Sequence, residues 1–177
     1  AVSPAGRFNA GLSDAIAVRA FRDQVLAADD GETEDYPDRV LLARRGGLTR
    51  AVTNGDDLVR MCEAKGLAIV DPSDLSFQQQ VRLAHGSSLI ISQAGGALTN
   101  MLFAKADSTW IGLVGTPSRH DPNFRQLAEI AQCTYQVVDC HPSEHPDAFP
   151  TDRDYQHGRM TIDLDALENR IDRHCHA

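Results

Sequence analysis

Five short apolar runs, each separated from the next by a helical pattern, constrain the fold of this 177-residue chain more than any other feature. The runs cover residues 40–43, 67–70, 89–91, 110–114 and 135–138. Apart from Gln136 they contain no polar side chain beyond the Tyr135 hydroxyl and the Trp110 indole, which is typical of strands buried on both faces. Parallel strands need crossover connections, and crossover helices cover both faces of the sheet. The sequence therefore predicts an α/β fold: a doubly wound, Rossmann-like, mostly parallel sheet in a single domain spanning residues 1–177.

Helix signals fill the intervals between these runs. Asn54 is placed to cap a helix that carries Leu58 and Cys62, and Ser76 with Gln79 forms a capping box. Further helices are predicted from an opening stripe that includes Ile16 and Phe21, from residues 98–104, from Asp121-Pro122 with Phe124, Leu127, Ala128 and Ala131, and from Leu164, Leu167 and Ile171. Residues 141–157 contain three prolines and are predicted to form a long loop.

Composition limits the class of protein. The formal net charge of −8 argues against a general nucleic-acid binder, which needs a basic face. No apolar run is long enough to span a membrane, and the four cysteines lack paired metal-ligand spacing. Because the chain starts at Ala1 without a methionine, we expect a domain excised from a larger protein. No asparagine opens a glycosylation sequon, and we expect a cytoplasmic location.

The turn after the third run is rich in small residues and reads Gln93-Ala-Gly-Gly-Ala97. A glycine-bearing strand-to-helix turn leaves backbone N–H groups bare and directs a helix N-terminus at the ligand, which favours a phosphate. Such turns also occur in α/β domains only to close a connection. Gly95 and Gly96 are therefore candidate phosphate-binding residues, with Gln93, Thr99 and Asn100 nearby. Side-chain bonds to the local backbone are the alternative role of these three polar residues.

Arg44 and Arg50 follow the first run, where a guanidinium can hold a diphosphate through paired charge-assisted bonds. Asn54 and Asp57 follow them; their alternative roles are to cap the helix and to place an acid in its first turn. His120 and Asp121, after the fourth run, form a candidate catalytic acid–base pair. A surface pair without a catalytic role is the alternative.

Four separated blocks, at residues 40–58, 66–72, 75–81 and 95–103, together resemble glycosyltransferase family 61. The family pattern has an Arg after the first strand, an Arg and an Asn around the next helix start, a Ser-Phe-x-x-Gln helix, and a His-Gly-Ala-Gly-Leu-Thr-Asn loop followed by Phe. The positions of this chain that match are Arg44, Arg50, Asn54, Asp57, Gly95, Leu98, Thr99 and Asn100.

The resemblance implies one half of an inverting, metal-independent transferase with two Rossmann domains (the GT-B type). Such an enzyme uses a nucleotide-sugar donor, needs no cofactor and acts on a glycan or polysaccharide acceptor, as in capsular polysaccharide biosynthesis. The acceptor site and the catalytic base would come mainly from the missing N-terminal domain, so we expect the isolated domain to be inactive.

Two positions depart from the family pattern: Ala94 stands where the loop has His, and Gly112 where an acidic residue is usual. A non-catalytic binding or scaffolding domain of the same ancestry is therefore the main alternative. A nicotinamide-dependent oxidoreductase is the weaker one, because no G-x-G-x-x-G motif follows the first predicted strand.

Overall fold

A computed structural model describes residues 15–28, 36–43, 52–115, 122–142 and 160–175. The strands are β1 (Arg39–Leu42), β2 (Ala68–Val70), β3 (Leu89–Gln93), β4 (Thr109–Gly115), β5 (Thr134–Pro142) and β6 (Met160–Ile162). The helices are α1 (Ala15–Ala27), α2 (Gly55–Ala64), α3 (Phe77–Gly86), α4 (Pro122–Ala131) and α5 (Leu164–Cys175), with a 3-10 helix at Gly96–Phe103.

The six strands form one sheet in the order β2-β1-β3-β4-β5-β6. The first five strands are parallel, and β6 is antiparallel to the end of β5. Five of these strands follow from the apolar runs of the sequence, and β6 is an additional one. This arrangement confirms the predicted α/β class with a mostly parallel sheet.

Helices cover both faces of the sheet, as the apolar strands require. On one face, α3, the 3-10 helix and α4 pack against Val40, Ile90 and Trp110, and α1 lies over them. On the other face, α2 and α5 pack against Leu41, Ile91 and Ile111. The strands β1, β3 and β4 therefore send alternate side chains into two separate cores.

Some local predictions are confirmed in detail. Ser76 and Gln79 form both bonds of the capping box, with N···O distances of 2.9 and 3.2 Å. Leu167 and Ile171 of α5 are fully buried. The α4 stripe is also correct, because Leu127, Ala128 and Ala131 are buried and Phe124 packs against them.

Other local predictions are wrong. Ile16 of the predicted opening stripe is 83% exposed, whereas Val25, which the stripe also contains, packs against the core together with Val18 and Leu26. Arg22 attaches α1 to the carbonyl groups at the end of the 3-10 helix, with N···O distances of 2.9 Å to Leu102 and 3.1 Å to Ala104. The buried face of α1 is thus set by a polar anchor that apolar periodicity does not reveal.

Candidate functional site

The carboxyl ends of β1 and β3 lie side by side at the point where the strand order reverses. From β1 the chain crosses to β2 on one side, and from β3 onward it adds strands on the other. In open parallel sheets a crevice forms at such a reversal, outside the carboxyl ends of the strands, and ligands bind there. The turn after β3 borders this crevice, and Arg44 follows β1 by two residues.

The turn from β3 into the 3-10 helix has no side-chain cap. Gly95 occupies the cap position in a nearly extended conformation, with φ 157° and ψ −162°. The N–H of Leu98 donates to the carbonyl of Gly95 at 3.0 Å, so the N–H groups of Gly96 and Ala97 precede the first helical bond. Gly96 is exposed, and a Cβ atom there would meet nothing within 4 Å. The turn therefore presents backbone donors that suit an anion.

Asn100 joins three separated motifs through its side chain. Its Nδ2 donates to Oε1 of Gln80 at 2.8 Å, and Nε2 of Gln80 donates to the carbonyls of Pro72 and Leu75 at 2.9 and 3.2 Å. This links the 3-10 helix, α3 and the segment after β2 in one hydrogen-bond network. The network therefore holds the 3-10 helix that follows β3 against α3 and against the segment that follows β2.

The chemistry of this network also determines the orientation of Asn100. Carbonyl oxygens only accept hydrogen bonds, so the Gln80 atom that faces Pro72 and Leu75 must be its NH₂ group. Oε1 of Gln80 then faces Asn100, which must present its own NH₂ group in return. Oδ1 is the side-chain acceptor that remains to Asn100. Oδ1 can therefore accept from an N–H or O–H group of a ligand, and the second N–H of Nδ2 can donate to a ligand oxygen.

The other predicted donor-binding residues differ in their placement. Thr99 is exposed, and its hydroxyl donates to the carbonyl of Gly96, which is the local role foreseen as its alternative. Gln93 is the half-buried last residue of β3. Asn54 does not cap α2 with its side chain; its amide bonds both the N–H and the C=O of Ile162 in β6, at 3.0 and 2.8 Å. Asn54 thus lies beside the edge strand and away from the β1–β3 crevice.

Four predicted site residues, Arg44, Arg50, His120 and Asp121, lie outside the described residues. Their proposed roles remain predictions. In the sequence, Arg44 and Arg50 follow β1, and His120 with Asp121 follow β4.

Two residues near the crevice were missed by the sequence analysis as site residues. Gln80 was noted only as part of a motif, and the Ser-Phe-x-x-Gln pattern was the signal for it. Tyr135 was placed in a strand, yet its ring lies over Gly112 of β4, where a Cβ atom would be 2.5 Å from the Tyr135 hydroxyl. No local pattern could have revealed this contact, because the two residues belong to different strands.

The described thiols are unsuited to nucleophilic chemistry. Burial raises the pKa of Cys62 and of Cys140 to about 12, and that of Cys133 to about 11. All three are free thiols, and they remain protonated at neutral pH. Within the described ranges no group of three or more His, Cys, Asp or Glu side chains is arranged to hold a metal ion. None of the described helices is long and apolar enough to cross a membrane.

The mostly parallel sheet and its crevice are those of a Rossmann-like α/β fold, and comparison with known protein families identifies the family of the chain. Residues 4–111 match the family model described as glycosyltransferase 61, which covers more than half of the chain. The chain therefore belongs to the glycosyltransferase 61 family, as its motif blocks predicted. This membership supports a function of the glycosyltransferase type, with a sugar donor and an acceptor. A search of curated proteins finds no significant match.

Proposed function

We propose that this chain is the donor-binding half of an inverting, metal-independent glycosyltransferase of the GT-B type. The observation that carries the proposal is the uncapped glycine turn at the β1–β3 crevice, in a chain of a glycosyltransferase family. The diphosphate of a nucleotide sugar would rest on the N–H groups of Gly96 and Ala97. Arg44 or Arg50 would oppose its charge.

Stabilising the leaving diphosphate is the main electrostatic task of a transferase that uses no metal. Backbone donors and a guanidinium perform it with little reorganisation, because they are already oriented towards the developing charge. Gln93 and Thr99 are proposed to border the donor. The acceptor oxygen of Asn100, set by Gln80, would suit a sugar or ribose hydroxyl or a base N–H.

The remaining parts of the proposal come from the family resemblance. The acceptor, a glycan or polysaccharide of the capsular kind, would bind mainly to a second domain, which would also supply most of the catalytic machinery. His120 with Asp121 is the candidate acid–base pair within this chain. We propose a cytoplasmic location, where nucleotide sugars are available.

A non-catalytic scaffolding domain is the second candidate. It is favoured by Ala94, which removes the imidazole of the family loop, and by Gly112, where the Tyr135 ring leaves no space for a carboxylate. Binding of a nucleotide separates the two candidates only in part, since a scaffold can retain a ligand. Absence of binding favours the scaffold.

Calorimetric titration of the chain with UDP, GDP, CMP and their sugar conjugates tests the proposal. We expect one nucleotide to bind selectively and Arg44→Ala to weaken it about tenfold or more, because one charge-assisted bond to phosphate is lost. Arg19→Ala, at an exposed position of α1, is the matched control and should bind as the parent does. A folded chain that binds none of these nucleotides contradicts the donor-binding proposal.

A further inference from the structure

An open groove of about 640 Å³ lies at the outer edge of β5. Strand β6 pairs only with residues 140–142 of β5, so no described strand covers residues 134–137 on that side. Helix α4 lines the groove from one face of the sheet, and Arg170 of α5 lines it from the other face. Its volume is within the range of about 300 to 1,000 Å³ that is usual for ligand sites.

Two arginines from opposite faces of the sheet line this groove. Arg125 of α4 is exposed, and within the described ranges it has no hydrogen-bond or ion-pair partner. Arg170 is half-buried, and its Nη1 donates to Oε1 of Gln136 at 3.2 Å, which uses one of the donors of the guanidinium. Glu129 also lines the groove. Two guanidinium groups against one carboxylate leave an excess of positive charge there.

The acids of α5 on either side of Arg170 are engaged elsewhere. Nζ of Lys65 lies 2.8 Å from Oε1 of Glu168 and 2.8 Å from Oδ1 of Asp172, so both carboxylates face the end of α2. Composition does not predict a positive groove either, because the formal net charge of the chain is −8. The groove is therefore complementary to an anion, and a guanidinium fork matches a carboxylate or a phosphate group.

The uncharged part of the lining suits a sugar. Gln132 is exposed and Gln136 is half-buried, and both line the groove. Amide side chains both donate and accept hydrogen bonds, as sugar hydroxyls do. Because Oε1 of Gln136 accepts from Arg170, the NH₂ group of Gln136 remains to donate to a ligand. Ala128 and Val137 add apolar surface for the carbon atoms of a sugar ring.

We propose that this groove holds an acidic stretch of the acceptor glycan, with Arg125 and Arg170 bound to its carboxylate or phosphate groups. This inference rests on the proposed function, and it narrows the acceptor to a glycan that carries negative charge. Strand β5 lies two strands from β3, about 10 Å across the sheet. The groove is thus a second site, which retains the glycan chain and does not bind the diphosphate of the donor.

Calorimetric titration with two acidic oligosaccharides tests this inference. The probes are tetragalacturonate, beside its methyl ester, and a phosphorylated mannose tetrasaccharide, beside its dephosphorylated form. We expect one charged probe to bind about tenfold more tightly than its neutral form. Arg125→Ala and Arg170→Ala should each raise its Kd about tenfold, because each removes a charge-assisted contact.

Arg173→Ala is the matched control, since Arg173 is an exposed residue of α5 that does not line the groove. It should bind the charged probe as the parent does. Arg125→Ala removes no described bond, so its unfolding temperature should stay at the parent value and a loss of binding in this variant cannot come from misfolding. Both groove variants should bind the nucleotide as the parent chain does.

The outcomes separate this inference from the donor proposal. A parent chain that binds a nucleotide but neither charged probe, or that binds a probe equally well in both arginine variants, overturns the inference and leaves the donor site standing. A peptide of eight glutamates that competes as tightly as the oligosaccharide overturns it in favour of an acidic protein partner. Binding of a charged probe without any nucleotide overturns the donor proposal instead, and leaves a scaffold that binds an acidic glycan.

Discussion

Two turns at the carboxyl edge of the sheet differ in how their polar groups are satisfied. The turn from β2 into α3 is closed by its own side chains: the Asp71 carboxylate accepts from the N–H and hydroxyl of Ser73 at 2.9 and 2.6 Å, and Ser76 begins a capping box. The turn from β3 into the 3-10 helix has Gly95 at its cap and no side-chain cap bond.

This difference separates a structural turn from a candidate binding turn. A helix begins with N–H groups that need acceptors, and side chains at the cap supply them at a gain of about 1 kcal/mol. Where a helix begins without a side-chain cap, its first backbone N–H groups stay available to a ligand. The β2–α3 turn therefore contributes stability, and the β3 turn keeps the chemistry that the proposed function needs.

The largest expected effect on stability comes from breaking the hydrogen bonds around the turn from β2 into α3. Gln80→Leu removes the donor to Pro72 and Leu75 and the acceptor of Asn100, so half-buried polar groups lose their partners. We expect the free energy of unfolding to fall by about 2 to 3 kcal/mol. Urea unfolding measures it. Gln78→Leu, at an exposed position of the same helix, is the control and should change it by less than about 0.5 kcal/mol. Equal effects of the two variants would remove the stabilising role assigned to Gln80.

A substitution in the turn from β3 into the 3-10 helix should change stability less, but it should weaken nucleotide binding. Gly96→Ala adds a methyl group into open space, so the free energy of unfolding should change by less than about 0.5 kcal/mol. The methyl group would stand where a phosphate approaches the backbone, and nucleotide binding should weaken several-fold. Gly55→Ala, at the first residue of α2, is the matched control because its Cβ would meet Val52 only at 3.8 Å. Parent-like binding by Gly96→Ala would show that the turn does not hold the phosphate.

The smallest effect should come from a site remote from both turns. Burial, and then the charge of Arg39, lower the pKa of His174 in α5 below its usual value of 6.5. The unfolded chain therefore takes up this proton at a higher pH than the folded chain does, and stability falls as the pH drops below about 6.5. His174→Gln should make the unfolding free energy less dependent on pH between 7 and 5. An unchanged pH dependence would assign the loss of stability in acid to other groups, such as those at the turns.

Local patterns predicted the elements whose signals lie within one segment. The five parallel strands, the capping box at Ser76 and the α5 stripe follow from apolar runs and cap spacing, and the structure confirms them. The prediction ended β5 at Val138, whereas the strand continues to Pro142 and pairs with β6. Three residues carry too weak a pattern to indicate a strand, and β6 depends on its partner.

Polar side chains were harder to assign than apolar ones. Asn54 stands at the cap position of α2, yet its amide bonds β6 more than 100 residues away. Phe77, the first residue of α3, is apolar yet 54% exposed, and it meets Phe103 edge-on with the ring centroids 5.7 Å apart. A cap pattern or an apolar stripe states what a residue can do locally, and competing tertiary partners decide what it does.

The amino-acid sequence by itself determined the α/β class, the parallel sheet, the glycine turn and the family, because these depend on periodicity and on motifs within continuous segments. Only the tertiary structure decided that Gln80 orients Asn100 and that Tyr135 lies over Gly112. Both contacts join residues from different elements, across 20 and 23 positions of the chain. Their geometry is set by strand order and register, which long-range packing determines and which no single segment encodes.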